Sequence, residues 1–550
     1  MKTTFLLTKI ASALRSFPGG FILVIFTLAS SMLLPGAYAV SPPPDGGYPG
    51  FNTAEGQNAL LSLDTATGFA NTAVGSLSLQ NSVDVSFNTG LGAGTLSVNT
   101  GNENTAVGAA ALLLNTTGEK NTAVGVDALL NNTIGGANTA IGDGALLSNT
   151  TGGSNTATGV FALFSNTTGT DNTAIGNNAL ASNNIGSLNT AVGVAALDDN
   201  TAGVSNTAIG VSALSGNTTG NNNTATGVDA LFSNTIGSFN TATGLSALHD
   251  NTAGESNTAD GDHALFENID GDGNTAIGAG ALGANGSGDD NTATGLGALQ
   301  NNAGGSFNTA YGVDALLGNN DGSGNTAVGS FALSNIVNGN SNVAVGGNAG
   351  ENLTGGDSNN IDIGFDVAGV AGESNTIRIG NPNITTAIIR GVSGQTIPSG
   401  AAVLVAANGQ LGTATSSRRF KEDIKPMDKA SEALFSLTPV TFRYKKEIDP
   451  ASTQQFGLVA EDVEKINRDL IVRDENGNVN TVRYDQVNAM LLNEFLKDHR
   501  KNEEQEATIA YLRKQVEALT TGLQKVSAEV ELSKPAAQTV NIRTASLRGQ

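Results

Sequence analysis

Hydrophobic and polar residues alternate along this chain with three different periods. Between Phe21 and Leu34 runs an apolar stretch, preceded by Lys2, Lys9 and Arg15 and followed by Ala37-Tyr38-Ala39. That order of basic, apolar and small residues predicts an export signal over 1–39 that is removed near Val40. The stretch is shorter than the roughly 20 residues that span a bilayer, so no membrane span is expected after its removal. A Pro/Gly-rich leader is expected over 40–51.

A strict 17-residue period then takes over. Asn-Thr-Ala-x-Gly opens at Asn104, Asn121, Asn138 and every 17 residues to Asn325, with Asn-Val-Ala-Val-Gly at Asn342 and looser copies at Asn52, Asn71, Asn88, Asn360 and Asn375. Counting the first Asn as position 1, Ala-Leu recurs at positions 8 and 9, as in Ala128-Leu129 and Ala230-Leu231. A glycine corner closes many units, as in Asn115-Thr116-Thr117-Gly118. Seventeen residues with two glycine-bearing corners are too few for a pair of helices. They suit one coil of a β-solenoid with two short strands and two turns, so an array is expected over 52–385. Alanine fits a narrow interior, Leu is expected to form an apolar face shared between chains, and Asn and Gly are expected at left-handed corners. The residue before the glycine is Val107, Thr158, Asp260 or Tyr311 in different units, which marks a solvent or interface position.

The third period begins at Ile509. Ile509, Leu512, Val516, Leu519, Leu523, Val526 and Val530 alternate by three and four, the seam of a coiled coil over 501–534, with Asn502 and Gln505 continuing it backwards. Pro535 ends it, leaving a tail over 535–550. Between array and coiled coil, 386–415 reads as a β neck: Ala387 to Arg390 as a strand, and Val403-Leu404-Val405 paired with Gln410-Leu411-Gly412 across Asn408-Gly409. A small α+β domain is expected over 416–500. The chain is thus expected to be mainly β, a trimeric β-solenoid or β-roll followed by that domain and a trimeric coiled coil.

Composition narrows the function. The 550 residues include 71 glycines and neither cysteine nor tryptophan, which excludes disulfides and thiolate metal sites. From Val40 to Gly400 there are 28 acidic residues against only Lys120, Arg378 and Arg390. A body that acidic argues against nucleic acid and anionic membranes as partners. Within the array, Asn-x-Thr triplets read as turn code rather than glycosylation acceptors. Asp260-Gly261-Asp262 and Asp270-Gly271-Asp272-Gly273 lack the downstream carboxylate of a calcium loop. His249 and His263 read as solvated side chains. No cofactor or metal is expected.

Candidate chemistry lies at Thr415-Ser416-Ser417-Arg418-Arg419-Phe420-Lys421. A lysine stripped of solvent can accept the proton of a serine placed five residues earlier. The spacing alone is equally that of a solvated basic loop.

Two resemblances add to this reading. The array is similar to the head repeats of trimeric autotransporter adhesins, though those usually repeat every 14 or 15 residues; the resemblance implies a homotrimer and surface exposure. The stretch from Ser416 resembles the Ser-Asp-x-Arg-Leu-Lys signature that opens the intramolecular chaperone domain of phage endosialidases, tailspikes and tail fibres. Ile424-Lys425-Pro426-Met427, Ala433-Leu434, Val440 to Tyr444, Phe456 to Val463, Val482 to Asp485 and Leu491 to Glu494 continue the likeness in order. Ser417 stands for the usual Asp, Phe420 for Leu and Glu461 for Gln.

The resemblance implies a homotrimerising chaperone that cuts the Thr415–Ser416 bond, with Ser416 as nucleophile and Lys421 as base; Ser417 is the alternative nucleophile. Three functions follow: an exported, adhesin-like fibre, secreted or at the cell surface, with a single-turnover autoprotease; an uncleaved fibre with a permanent trimer clamp; or an enzyme acting on external glycans. The array offers no recurring carboxylate pair for the last. Its partner is itself; which host, matrix or glycan surface it touches is not written in the residues.

Overall fold

The computed structural model describes residues 48–389, 401–406, 408–474 and 476–534. The expected signal over 1–39, most of the leader and the tail over 535–550 lie outside them. The chain divides into two units, 1–387 and 388–550. No helix among the described residues is long and apolar enough to cross a membrane.

The first unit is a β-solenoid. Twenty strands of three residues, from β1 (Thr53–Glu55) to β20 (Ile377–Ile379), form one parallel sheet. Each strand pairs with the next without offset, as when Thr207, Ala208 and Ile209 lie against Thr224, Ala225 and Thr226. At about 4.8 Å per step the sheet is roughly 90 Å long. The coil that begins at Asn223 represents the others. Its Ala225, Ala230 and Leu231 are fully buried, and the same three positions stack into one continuous core.

The coil differs from expectation in two respects, and one conformational fact explains both. Each coil has one strand, not two. The backbone turns left-handed at Gly227 (φ 141°), Asp229 (φ 54°) and Leu231 (φ 53°), so no second extended run forms. The turn points Leu231 inward, into the chain's own core rather than onto a face shared with neighbours. A leucine in this region is strained by about 1–2 kcal/mol, and burying it offsets that by a similar amount or more. Backbone pairing continues without the second strand. Leu231 N–H donates to Ala247 O at 2.9 Å in the next coil, and Asp229 N–H to Val211 O at 3.0 Å in the previous one.

Nor, apart from Asn375 (φ 61°), do the recurrent asparagines sit at the left-handed corners. They form two buried ladders along the axis. Asn223 N–H donates to Asn206 Oδ1 at 3.0 Å, and Asn234 Nδ2 to Asn217 Oδ1 at 2.8 Å. Both amides also donate to the carbonyl of Gly237, at 2.8 and 3.0 Å. The Asn-x-Thr asparagines of the corners, such as Asn115 and Asn217, are fully buried rungs. The second ladder stops at Asn319, whose Oδ1 has no partner because Ile336 occupies the next rung. Each ladder makes a coil depend on its neighbours, since an orphaned buried amide is worth about 1–3 kcal/mol of instability.

The solenoid closes differently from how it runs. In β19 (Ile361–Ile363) Asp362 takes the inward place that alanine holds elsewhere. It is buried, and neither carboxylate oxygen has a partner. Its register neighbour Arg378 is instead paired with Glu373. Burial, and the charge of Glu373, push the Asp362 carboxyl up to about 6 against the pull of Arg378. A carboxyl raised above its ordinary value of about 3.9 keeps a proton in the coil that the unfolded chain has lost. Its contribution to stability is full below pH 4 and disappears as the pH rises to about 6. Asp362→Ala should therefore raise the midpoint for unfolding of the terminal coils more at pH 7 than at pH 4. Thermal melts at the two pH values check this, and an equal effect at both would refute it.

In the second unit, β21 (Val403–Val405) and β22 (Leu411–Thr413) form an antiparallel hairpin whose second strand lies one residue later than the expected Gln410–Gly412, with Gly409 left-handed at φ 84°. Of the strand expected over Ala387 to Arg390, residues 387–389 are not in a strand, and Arg390 lies outside the described residues. Further on, β23 (Val440–Phe442) pairs with β24 (Gln455–Gly457), and β25 (Ile471–Arg473) with β26 (Val479–Val482). Helix α1 (Ala460–Ile466) and the single long helix α2 (Tyr484–Leu532) complete the unit. The core is small: Val463, Leu470, Ile471, Val482, Val487 and Met490.

Candidate functional site

The junction heptapeptide folds locally. Arg418–Phe420 make one turn of 3-10 helix, with Phe420 N–H donating to Ser417 O and Lys421 N–H to Arg418 O, both at 3.1 Å. This turn reverses the chain enough for Lys421 Nζ to donate to Ser416 Oγ at 3.3 Å. The five-residue spacing thus becomes a contact. Ser417, at the N-cap, makes no side-chain capping bond. The Arg419 guanidinium lies 4.6 Å from the centre of the Phe420 ring. Ser416, Lys421 and Thr415 are all exposed, and nothing among the described residues removes water from the pair.

A second serine–lysine contact was not foreseen. Ser431, in the 3-10 segment Asp428–Ser436, is fully buried against α2. Asn493 Nδ2 and Lys497 Nζ donate to its hydroxyl at 2.6 and 3.2 Å, and the hydroxyl donates to the Glu494 carboxylate. Lys497 is itself paired with Glu494 at 2.6 Å. Hydrogen bonds from Lys497 and then Ser431 hold the Glu494 carboxyl below its ordinary range. These hydrogen bonds fasten the 3-10 segment to α2. Their sequence signal was Asn493 and Glu494 on successive positions of a helix, readable only once Ser431 is known to face them.

Other residues singled out by motif also meet. Leu458 N–H donates to Tyr484 Oη at 3.0 Å. A Cβ at Gly457 would fall 2.9 Å from that oxygen, so a larger residue there would have to displace the Tyr484 hydroxyl. The motifs around Gly457 and Tyr484 therefore form one contact between β24 and the start of α2.

In the array, His249 is not freely solvated. Its ring stacks between Phe232 and Phe266, with centroids 5.1 and 5.0 Å away, and its Nδ1 lies 2.6 Å from Asp250. His263 leans on Phe266 and meets Asp262. Asp272 accepts the backbone N–H of Glu255 at 2.6 Å, and Asp289 that of Asp272 at 2.8 Å, so these acids serve as links between coils. Among the described residues no group of three or more acidic or histidine side chains is placed to hold a metal.

Neither the curated proteins nor the solved structures contain a match to this chain. Residues 416–472 match the family described as chaperone of endosialidase, and the match opens at Ser416 itself. The family match thus begins at the serine of the serine–lysine contact and covers the resembling motifs from Ser416 to Val463, while those at Val482 to Asp485 and Leu491 to Glu494 lie beyond it.

Proposed function

We propose that this protein is an exported, homotrimeric, adhesin-like fibre, secreted or held at a cell surface. Its C-terminal segment brings three chains together and then severs itself at Thr415–Ser416. The observation that carries the reading is the 3.3 Å contact of Lys421 Nζ with Ser416 Oγ at the first residue of the chaperone-family match. The chaperone family implies a homotrimer. The second unit supports it by what it leaves uncovered. Phe435, Phe456 and Phe495 are each more than 60 % exposed, and so are Val403, Val405 and Leu411 of an isolated hairpin. Such a hairpin is marginal in water unless something covers it. Along α2, Ile509, Leu512, Val516, Leu519, Leu523, Val526 and Val530 form an exposed apolar stripe, the seam that partner helices would bury.

The chemistry follows from the positions. Ser416 Oγ attacks the Thr415 carbonyl carbon while its proton passes to Lys421 Nζ. The C–N bond breaks, the Ser416 nitrogen takes up a proton, and Thr415 is left as an ester on Oγ. Water hydrolyses the ester, leaving a Thr415 carboxylate and a free Ser416 amine. Lysine serves as base only when burial favours its neutral form. In a single chain both side chains are exposed, so the burial is supplied by neighbouring copies, and cutting follows assembly.

Assembly first also suits the array. Near-identical parallel coils fold slowly and can slip by a whole coil, and a C-terminal trimer fixes the register before the rods close. A chain ending at Thr415 should then yield far fewer trimers than the whole chain, by on the order of tenfold, when both are refolded and measured by light scattering. Equal yields would contradict the chaperone role. The exposure of Ser416 and Lys421 favours a second reading, an uncleaved fibre in which the segment is a permanent clamp.

A further inference from the structure

The trimer proposed above leaves open which face of the solenoid meets its neighbours, and the coil core is closed within each chain. We infer that the interface is the column formed by positions 4 and 6 of each coil, on either side of the left-handed glycine, and that its occupant is the same column of another copy. This rests on the trimer reading.

Position 4 ends each strand and points outward, and the unshifted register stacks it on itself along the rod. Together with position 6 it keeps an apolar residue uncovered in almost every coil. Val194 is 51 % exposed and Val211 47 %. The two positions compensate for each other. Where position 4 is Thr158, Thr226 or Thr243, position 6 is Val160, Val228 or Leu245. Where position 6 is Asp143 or Asn177, position 4 is Ile141 or Ile175. From Asn104 to the coil at Asn342 only one coil lacks such a residue, the one with Asp260 and Asp262. Nothing in the coil's own fold requires this, because both positions lie outside the core.

The occupant follows from pitch, charge and area. A body with the same coil spacing of about 4.8 Å can follow the column over its whole length, and three chains held at their C-terminal units present such a body in register. The array is strongly acidic, so copies repel unless they meet on a face nearly free of charge. Apart from Asp143, Asp260 and Asp262, the column over these coils is uncharged. At some tens of Å² per coil, the column amounts to on the order of 1,000 Å² per chain. That matches the roughly 800 Å² per partner of a stable interface and exceeds the patches ordinary monomers expose. The competing face is a shallow groove lined by Ser233, Asp250, Thr252, Glu267 and Ile269, whose wall carries two acids.

The chain has no cysteine, so single-cysteine variants of the whole protein report contacts directly. Val194→Cys, Val211→Cys and Val228→Cys sample the column, and Ser233→Cys and Ser182→Cys, the latter at the same coil position three coils earlier, the groove side. Each is treated with a short bismaleimide, run on a denaturing gel, and measured in parallel by light scattering. Trimers in which the column variants become covalent dimers and the groove variants do not are the expected result. Trimers with the opposite pattern would overturn the face and leave the trimer standing. A monomeric wild type would overturn both.

Discussion

Ser416→Ala yields a chain that assembles as the wild type does and is never cut. The substitution removes Oγ, the only atom of residue 416 able to attack the Thr415 carbonyl, and leaves the backbone turn at Arg418–Phe420 untouched. The fall in rate should be at least about 10³-fold, the scale on which enzymes lose rate when a nucleophile is removed. Lys421→Ala removes the base and should slow cutting by roughly 10²–10⁴-fold. Lys421→Arg is the more informative variant. It keeps the positive charge and the reach toward Oγ but cannot give up its proton. It should therefore be as inactive as the alanine variant if Lys421 is a base, and active if only a charge is needed. Ser417→Ala should cut normally, since Lys421 contacts Ser416. If Ser417→Ala blocks cutting and Ser416→Ala does not, the nucleophile lies one residue later. Fragment masses over a time course, beside light scattering of the same samples, separate loss of chemistry from loss of assembly.

Gly227→Ala should break the solenoid at one coil. Gly227 has φ 141°, a region closed to residues with a side chain, and its Cβ would lie 2.2 Å from Gly244 O. The obstacle is backbone, so no side chain can swing aside; the coils must separate. Strain of about 1–3 kcal/mol is then joined by loss of the hydrogen bonds that hold this coil to the next, including Thr224 N–H to Asn240 O and Leu231 N–H to Ala247 O. The total should exceed about 4 kcal/mol, at the extreme for a single substitution. Because each coil touches only its neighbours, the damage stays local. Hydrogen exchange should show protection lost at Thr224 and Leu231 and kept at Thr122 and Leu129, six coils away. Ile236→Ala in the same coil, on a side chain 56 % exposed, should change little. Uniform loss along the array would mean that the coils unfold together and not as a linear stack.

What could be read in advance was the part of the fold that repeats. Asn-Thr-Ala-x-Gly at a fixed spacing fixes a pitch, and alanine at positions 3 and 8 announces a thin interior, so the β-solenoid was legible. The roles of Leu and Asn were not. Nothing in residue type says that Leu231 adopts the left-handed conformation asparagine usually takes, because that choice is decided by burying Leu231 against the coils above and below. Asn223 and Asn234 look like corner residues until the stack brings each within reach of its counterpart. At the junction, the spacing of Ser416 and Lys421 carried little by itself. The ordered matches downstream identified the segment, and the turn at Arg418–Phe420 then supplied the contact. Ser431 was invisible because its partners lie more than sixty residues away on α2.

The central claim is that assembly leads to a cut at one bond. Its most direct test is the intact mass of the wild-type chain after refolding into trimers. One fragment should end at Thr415 and the other begin at Ser416, with neither present in chains held monomeric. Well-folded trimers in which every chain keeps its full mass would contradict the claim and leave the segment as a permanent clamp.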